Sequence, residues 1–475
     1  MDLWHVVVFL AVPAVELTAL WFAYRSLQVA RTPQAAMGWV IFFLTLPFLA
    51  VPLWVVLGRS RFPQKITTRR ELRGVVRRIR DEKRRFSPTS GSDPTVDHLR
   101  VRAFETLAGV PLLGGNQADL LIDGEATFDA IFEAIAQAQS YVLLAFYTIR
   151  DDDTGRRLLD RISERARAGV RVCVLYDGVG SNKLTRAYLE DARAAGVAFV
   201  EFNANRRLRS RFQLNFRNHR KIVVVDGDVA FTGGLNIGNE YMGRNAHLGH
   251  WRDTFVRVRG PVVAEIQLSF AEDWLWATDE TLALNWDPAP CSGNMDALVV
   301  APGPADPIET GSFYFCNAIG AARERLWIAT PYFVPDVDVL TALKLAVLRG
   351  VDVRILIPEE ADHLLTWLAA YSFFDEVREV GVKIHHYTEG FMHQKVVLID
   401  DDIASVGSIN LDNRSCRLNF EITLIGLGND FAGRVAAMLE EDMATSPVFR
   451  TPLRSNPNLV IRYGAHFARL FAPIL

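Results

Sequence analysis

The chain has 475 residues, half of them hydrophobic, and a formal net charge of −3, so it can bury more than one core and is no wholesale binder of polyanions. Cys173, Cys291, Cys316 and Cys416 are scattered with no C-x-x-C pair, which argues against a zinc scaffold or disulfide framework and fits a reducing compartment. The charge is segregated: between Gly58 and Arg85 twelve Lys/Arg face three acids, leaving 40 basic against 52 acidic residues elsewhere.

In chain order, Leu3 to Tyr24 and Met37 to Leu57 are apolar stretches of about 20 residues, each enough as a helix to cross roughly 30 Å of hydrocarbon. A cleaved signal peptide is disfavoured, because the first stretch follows Met-Asp and no small-residue cleavage site closes it. Pro47 and Pro52 kink the second stretch, and Trp4, Trp21, Trp39 and Trp54 lie near the ends as an aromatic belt would. Residues 1–58 therefore read as a two-helix transmembrane hairpin. Its loop carries only Arg25 and Arg31, so the basic run after Leu57 places the rest of the chain on the cytoplasmic side. Residues 59–110 read as a basic juxtamembrane segment lying on anionic lipid, with a Ser/Pro/Gly/Asp linker from about Phe86 to Thr95.

The remainder is duplicated. Phe132-Glu-Ala-Ile-Ala-Gln-Ala leads into the strand Tyr141–Tyr147, and Phe315-Cys-Asn-Ala-Ile-Gly-Ala leads into Leu326–Tyr332. Arg167-Ala-Gly-Val-Arg-Val-Cys-Val-Leu175 likewise parallels Leu348-Arg-Gly-Val-Asp-Val-Arg-Ile-Leu356. Helices alternating with buried-type strands predict an α/β layered fold in each half, with two fused domains at 111–285 and 286–475 rather than a solenoid.

Each half also carries H-x-K-x4-D-x6-G-[GS]-x-N: His219, Lys221, Asp226 and Asn236 in the first, His393, Lys395, Asp400 and Asn410 in the second. On a strand, residues i and i+2 share a face, so each His points the same way as its Lys. Two such strands about a pseudo-twofold axis would supply two imidazoles and two ammonium groups to one pocket, with two Asn as neutral donors. That set suits a phosphodiester, which needs a nucleophile, an acid and fixed donors for the phosphoryl oxygens. A lone H-x-K is trivial and an Asp after an apolar strand is often a turn former. Two copies over the whole spacing are another matter. Gly178-Val-Gly-Ser-Asn-Lys183 lacks the Gly directly before Lys that a phosphate loop requires.

The repeated pattern resembles the HKD signature of the phospholipase D superfamily, and its surroundings resemble bacterial cardiolipin synthases. The residues that carry this include Gly233–Tyr241, Trp251-Arg-Asp-Thr254, Asp273-Trp274, Thr330–Asp336, Gly390–Lys395, Asp412–Ser415, Leu418-Asn-Phe-Glu421 and Ala468–Leu475. The resemblance implies two phospholipase D-like domains, each a mixed β-sheet flanked by helices, in a bacterial inner membrane protein. It implies exchange between two phosphatidylglycerol molecules, giving cardiolipin and glycerol through a phosphatidyl-histidine. His219 would be the nucleophile and His393 the acid/base, with Lys221, Lys395, Asn236 and Asn410 holding the phosphate. A carboxylate would fix each imidazole: Asp253 for the first copy, with Glu240 as its alternative, and Glu421 for the second. Asp226 and Asp400 would mainly secure strand ends. Neither cofactor nor metal is expected, because two ammonium groups already serve the phosphate.

Asn205-Arg-Arg-Leu-Arg-Ser-Arg-Phe212, the apolar Leu364–Phe374 and the terminal Phe471, Ile474 and Leu475 are either lipid contacts or ordinary surface and core. The rivals are a phospholipase D hydrolase, a nuclease of the same superfamily and an inactive membrane scaffold. The acidic catalytic region disfavours nucleic acid as partner, and the intact second motif disfavours the scaffold. Phosphatidylethanolamine as acceptor and a homo-oligomeric state are both left open.

Overall fold

Runs such as Ile222-Val-Val-Val225 become strands because β-branched side chains fit a pleated, buried surface. The computed structural model describes residues 3–30, 33–58, 73–82, 98–202, 216–244, 249–289, 291–293, 295–360 and 362–475. The first half contributes Leu113–Ile122 (β1), Tyr141–Phe146 (β2), Arg171–Tyr176 (β3), Ala198–Glu201 (β4), Ile222–Val225 (β5), Val229–Gly233 (β6) and Thr254–Arg259 (β7). The second contributes Met295–Val300 (β8), Arg325–Ala329 (β9), Asp352–Pro358 (β10), Lys383–Tyr387 (β11), Val396–Ile399 (β12), Ile403–Gly407 (β13) and Thr423–Leu427 (β14).

These strands form one 14-stranded sheet in the order β11-β10-β9-β12-β13-β14-β8-β1-β7-β6-β5-β2-β3-β4. Raising each first-half number by seven gives the second half read from the opposite edge, so a pseudo-twofold axis passes between β1 and β8. Those two strands pair antiparallel, Leu113 opposite Ala297 and Asn116 opposite Met295. In each half the three outermost strands are parallel and the remainder antiparallel.

Alternation along each strand divides the core. Tyr141, Leu143 and Ala145 of β2 face a central core shared with Trp327, Ala329, Val396 and Leu398 of the other half. Val142, Leu144 and Phe146 face the first half's own helix layer, while Leu326 and Ile328 face that of the second. Helices Val263–Thr278 and Asn429–Ala444 close the shared core through Ile266, Phe270, Val435 and Leu439.

Two short parallel ribbons cross between the halves. Arg217–Asn218 pairs with Asn419–Phe420, and Gly390–Met392 pairs with His250–Arg252. Each ribbon ends where an H-x-K begins on one strand and a carboxylate follows on the other.

The N-terminal region departs from the expected hairpin. The first stretch forms the helix Leu3–Val29, with Pro13 inside it. The second is broken at Leu46 into Pro33–Thr45 and Pro47–Leu57, because Pro47 has no N–H to donate and its ring disfavours a helical residue before it. A 13-residue helix spans about 20 Å, short of a bilayer core. Among the described residues no helix is long and apolar enough to cross a membrane. The three helices bury Ala19, Ala23, Phe43, Ala50 and Trp54 against one another and expose Leu17, Leu20, Ile41, Leu44 and Phe48. Of the basic juxtamembrane segment, Arg73–Glu82 is a helix whose Ile79, Val75 and Val76 pack on Val110 and Leu268. The expected linker lies outside the described residues.

Candidate active site

His219 and His393 stand at the entrances of β5 and β12, where each ribbon hands over to the sheet. The backbone N–H of His219 donates to the Phe420 carbonyl (2.9 Å), and that of His393 to the Arg252 carbonyl (2.8 Å). Each histidine is therefore hung from the opposite half. This corrects the expected pairing of carboxylates. His219 Nδ1 lies 2.9 Å from Glu421 Oε2, and His393 Nδ1 lies 2.9 Å from Asp253 Oδ2. Asp253 serves the second histidine and Glu421 the first. Glu240, the alternative for His219, instead pairs with Arg150 at 3.3 Å. The crossing follows from the ribbons, which bring residue 420 beside 218 and residue 252 beside 392.

Both carboxylates are fully buried and held. Glu421 accepts from Ser408 Oγ (2.5 Å) and Asn419 Nδ2 (3.1 Å). Asp253 accepts from the Thr254 backbone N–H (2.8 Å) and the Trp251 indole (3.4 Å). Lys221 Nζ donates to the His219 carbonyl at 2.7 Å, and Lys395 Nζ donates to that of His393 while lying 2.8 Å from His393 Nδ1. The Tyr147 ring stands edge-on to His219 with centroids 5.2 Å apart, and Trp251 flanks His393 at 5.1 Å. Asn236 accepts from the Thr148 N–H and donates to the Tyr241 hydroxyl. Asn410 Oδ1 is buried with no partner among the described residues.

Burial dominates the electrostatics. It lowers the His219 imidazole to about 4 against the pull of Glu421, and lowers His393 well below its ordinary range with help from Lys395 and Lys221. That each imidazole feels the other half's lysine marks one shared pocket. Burial pulls Lys221 down to about 7 and Lys395 to about 8. It pushes Asp253 up to about 7, against Lys395. For Glu421 burial also pushes upward, but His219, Lys221 and Ser408 outweigh it, and the carboxyl sits below its usual range. The Glu421–His219 pair is thus a carboxylate and a neutral imidazole. The Asp253–His393 pair retains a proton close to neutral pH.

The signature aspartates are elsewhere. Asp226 accepts from the backbone N–H groups of Gln139, Ser140 and Tyr141, and Asp400 from those of Arg323, Glu324 and Arg325. Both sit at the far ends of β5 and β12 from the histidines, at positive φ. They secure strand ends and take no part in the pocket, so their place among candidate catalytic groups is withdrawn.

Sequence reasoning missed the middle residues of the two motifs. Arg220, fully buried, grips Asp273 (2.9 Å) and the Glu421 carbonyl (3.0 Å). Gln394 donates to Asp442 (2.7 Å), which also receives Arg252 (2.7 Å). Strand alternation was the available signal: residues between His and Lys must face the opposite side, where helices Val263–Thr278 and Asn429–Ala444 carry the acids. Of the three suspected lipid contacts, 205–212 lies outside the described residues. Leu364–Arg378 is mostly core, burying Leu368, Tyr371, Phe373 and Phe374. At the C-terminus Ile474 is exposed and Phe471 half-buried.

Two imidazoles, each backed by a carboxylate from the opposite half of a duplicated sheet, define a phospholipase D-like site. The family described as "Cardiolipin synthase, PLD-like domain" matches residues 131–274 and 315–443. Cardiolipin synthase A of Pseudomonas aeruginosa is 43% identical over 456 residues, covering 95% of this chain and 93% of that protein. Cardiolipin synthase A of Pseudomonas fluorescens is 44% identical over 457 residues, covering 95% of each. The crystal structure of a phosphatidylserine synthase from Haemophilus influenzae superposes with a TM-score of 0.61 at 18% identity, covering 79% of this chain and 100% of that one, a likeness of fold. The chain belongs to the phospholipase D-like cardiolipin synthase family.

Proposed function

We propose that the protein is a cardiolipin synthase that moves a phosphatidyl group between two phosphatidylglycerol molecules. The observation that carries the reading is the pair of crossed His–carboxylate contacts, each at 2.9 Å, in one buried pocket with two lysines.

In the first step the neutral His219 attacks phosphorus through Nε2 while Glu421 holds its Nδ1 proton. The bond from phosphorus to the glycerol headgroup breaks, and the proton held by the His393–Asp253 pair goes to the departing oxygen. In the second step His393 takes the proton of a hydroxyl on another phosphatidylglycerol. That oxygen attacks phosphorus, the P–N bond breaks, and cardiolipin leaves. One phosphodiester replaces another, so no nucleotide drives the exchange. Lys221, Lys395, Asn236 and Asn410 surround the phosphoryl oxygens. The apolar walls of Tyr147, Trp251 and Phe391 support transfer to a lipid alcohol over water.

Membrane association belongs to the same proposal. The N-terminal three-helix unit exposes Phe9, Leu10, Leu17, Leu20, Trp21, Leu27, Ile41 and Leu44, a surface suited to lipid. The basic run at 59–85 supports placing the catalytic body on the cytoplasmic face of a bacterial inner membrane.

The test supplies labelled phosphatidylglycerol in vesicles to the purified protein and follows products by lipid mass spectrometry, with His219→Ala and His393→Ala alongside. Cardiolipin and free glycerol, lost in both variants, are expected. Phosphatidic acid in place of cardiolipin would make the protein a hydrolase.

A further inference from the structure

The C-terminal helix Leu459–Arg469 is apolar on both sides. Ile461, Ala465 and Ala468 are buried, and the helix packs on Leu364–Arg378, with Arg469 reaching Glu376 (3.0 Å) and the Ser372 carbonyl (3.0 Å). On the other side Leu459, Val460, Tyr463, Phe467 and Leu470 are each at least 60% exposed. They recur at the helical spacing of one continuous stripe. Two of the three inward positions are alanine while the outward face carries five large apolar side chains, which inverts what a helix covering a core should show. Solvent alone gives no reason for that inversion.

Charge identifies the occupant. From Thr445 to Leu475 the chain carries four arginines and no Asp or Glu, in a protein whose net charge is −3. Arg450 and Arg454 are exposed, the latter in the turn Leu453–Ser455 that packs on this helix, and the Arg462 guanidinium lies 5.6 Å from the Tyr463 ring centroid. Large apolar side chains flanked by arginines, of which Arg469 alone is paired with an acid (Glu376) among the described residues, fit the boundary between acyl chains and anionic headgroups.

The stripe is also tied to the pocket. The Leu475 carbonyl accepts from the Arg414 N–H at 2.7 Å, in the short helix Asn413–Arg417 that follows Asn410. The neighbouring helix begins with exposed Leu364 and Leu365, two residues after Asp362, which accepts a hydrogen bond from the Tyr332 hydroxyl. We propose that the outer face of helix Leu459–Arg469 docks the catalytic body on an anionic lipid bilayer and holds the mouth of the second motif at the headgroup plane. This rests on the lipid-substrate reading above and adds a second membrane contact, separate from the N-terminal unit.

The test reconstitutes the full chain into nanodiscs of phosphatidylcholine alone or with phosphatidylglycerol, and reads hydroxyl-radical oxidation of Tyr463 and Phe467 by mass spectrometry. With the N-terminal unit as the proposed anchor in both discs, the footprint reports docking of the body. At least fivefold less oxidation with phosphatidylglycerol is expected, and Arg450→Glu/Arg454→Glu/Arg462→Glu should abolish the difference. A Tyr463→Ser/Phe467→Ser/Leu470→Ser variant should lose about tenfold in turnover on vesicles while keeping wild-type turnover on monomeric short-chain phosphatidylglycerol, which also reports that it folds. Equal oxidation in both discs would overturn the proposal. So would protection that rises with protein concentration without lipid, since a second copy would then cover the stripe. Protection without cardiolipin formation would sink the synthase reading and leave the docking face standing.

Discussion

Gly234 and Ser408 occupy the same place in the two motifs and show how closely the pocket is fitted. Ser408 donates to Glu421, whereas a Cβ on Gly234 would come within 2.0 Å of Asp253 Oδ1. The shorter acid stands against the residue without a side chain. Gly234→Ser should therefore displace Asp253 and cost about 1–3 kcal/mol in urea unfolding, together with most of the activity. The crossed pairing gives a sharper test. Asp253→Asn should impair the acid and Glu421→Gln the nucleophile, each lowering kcat by about 10³- to 10⁴-fold. A phosphatidyl ester of p-nitrophenol needs no proton to leave, so it should restore the first-turnover burst of nitrophenol in Asp253→Asn and not in Glu421→Gln. Restoration of the opposite variant would return the carboxylates to the uncrossed assignment.

The pH profile follows from the same groups. His219, the proposed nucleophile, is lowered by burial to about 4 and is neutral above that value. The proton associated with Asp253 is lost near 7, and Lys221 loses its charge near 7 and Lys395 near 8. In the free enzyme kcat/KM should rise through about 4 and fall from about 7 to 8. Stability runs against function here. Between about 7 and 10.5 the unfolded chain binds a proton at Lys221 that the folded chain does not, so on this account stability increases with pH through that window. Lys221→Met should abolish turnover and, by removing one of the two buried lysines, lessen that rise of stability with pH, read by urea unfolding at about pH 7 and about pH 10.

At the scale of elements, Asp226 and Asp400 work as paired fasteners. Each turns the end of a motif strand back onto the N–H groups that start β2 or β9. Asp226→Ala removes the acceptor of three backbone donors and should cost about 2–4 kcal/mol in denaturant unfolding, with near wild-type turnover in the folded fraction. This role was legible in the sequence, because an Asp after an apolar strand is a turn former whatever the motif contains. The strands and the duplication were legible for a similar reason, since β-branched runs and their spacing are local properties. What was not legible was anything depending on which strand lies beside which. Asp253 follows the first motif in the chain and was assigned to it, yet the Gly390–Met392 ribbon carries it to His393. The broken second N-terminal stretch is a different failure. Hydropathy counted its apolar residues, whereas Pro47 decided its continuity.

At the scale of the whole molecule, the expected pair of domains is one sheet, continuous through β1 and β8. The central core draws on both halves, and each half supplies the other's carboxylate. Residues 98–289 or 290–475 produced separately should be insoluble or inert, whereas producing both in one cell should recover cardiolipin formation, measured by lipid mass spectrometry. Activity from either piece alone as a monomer would contradict the shared pocket.

The exchange of carboxylates bears on how such a chain can have descended. Had each motif been complete within its own half, duplication would have left a spare, free to decay or to take up another task. Here neither histidine has a spare, because each leans on an acid encoded in the opposite half of the gene. A lesion in either copy should disable both, so that selection would see the two as a single locus. The ancestor this implies is a half-length chain working as a pair about the same axis, whose two subunits were later joined end to end.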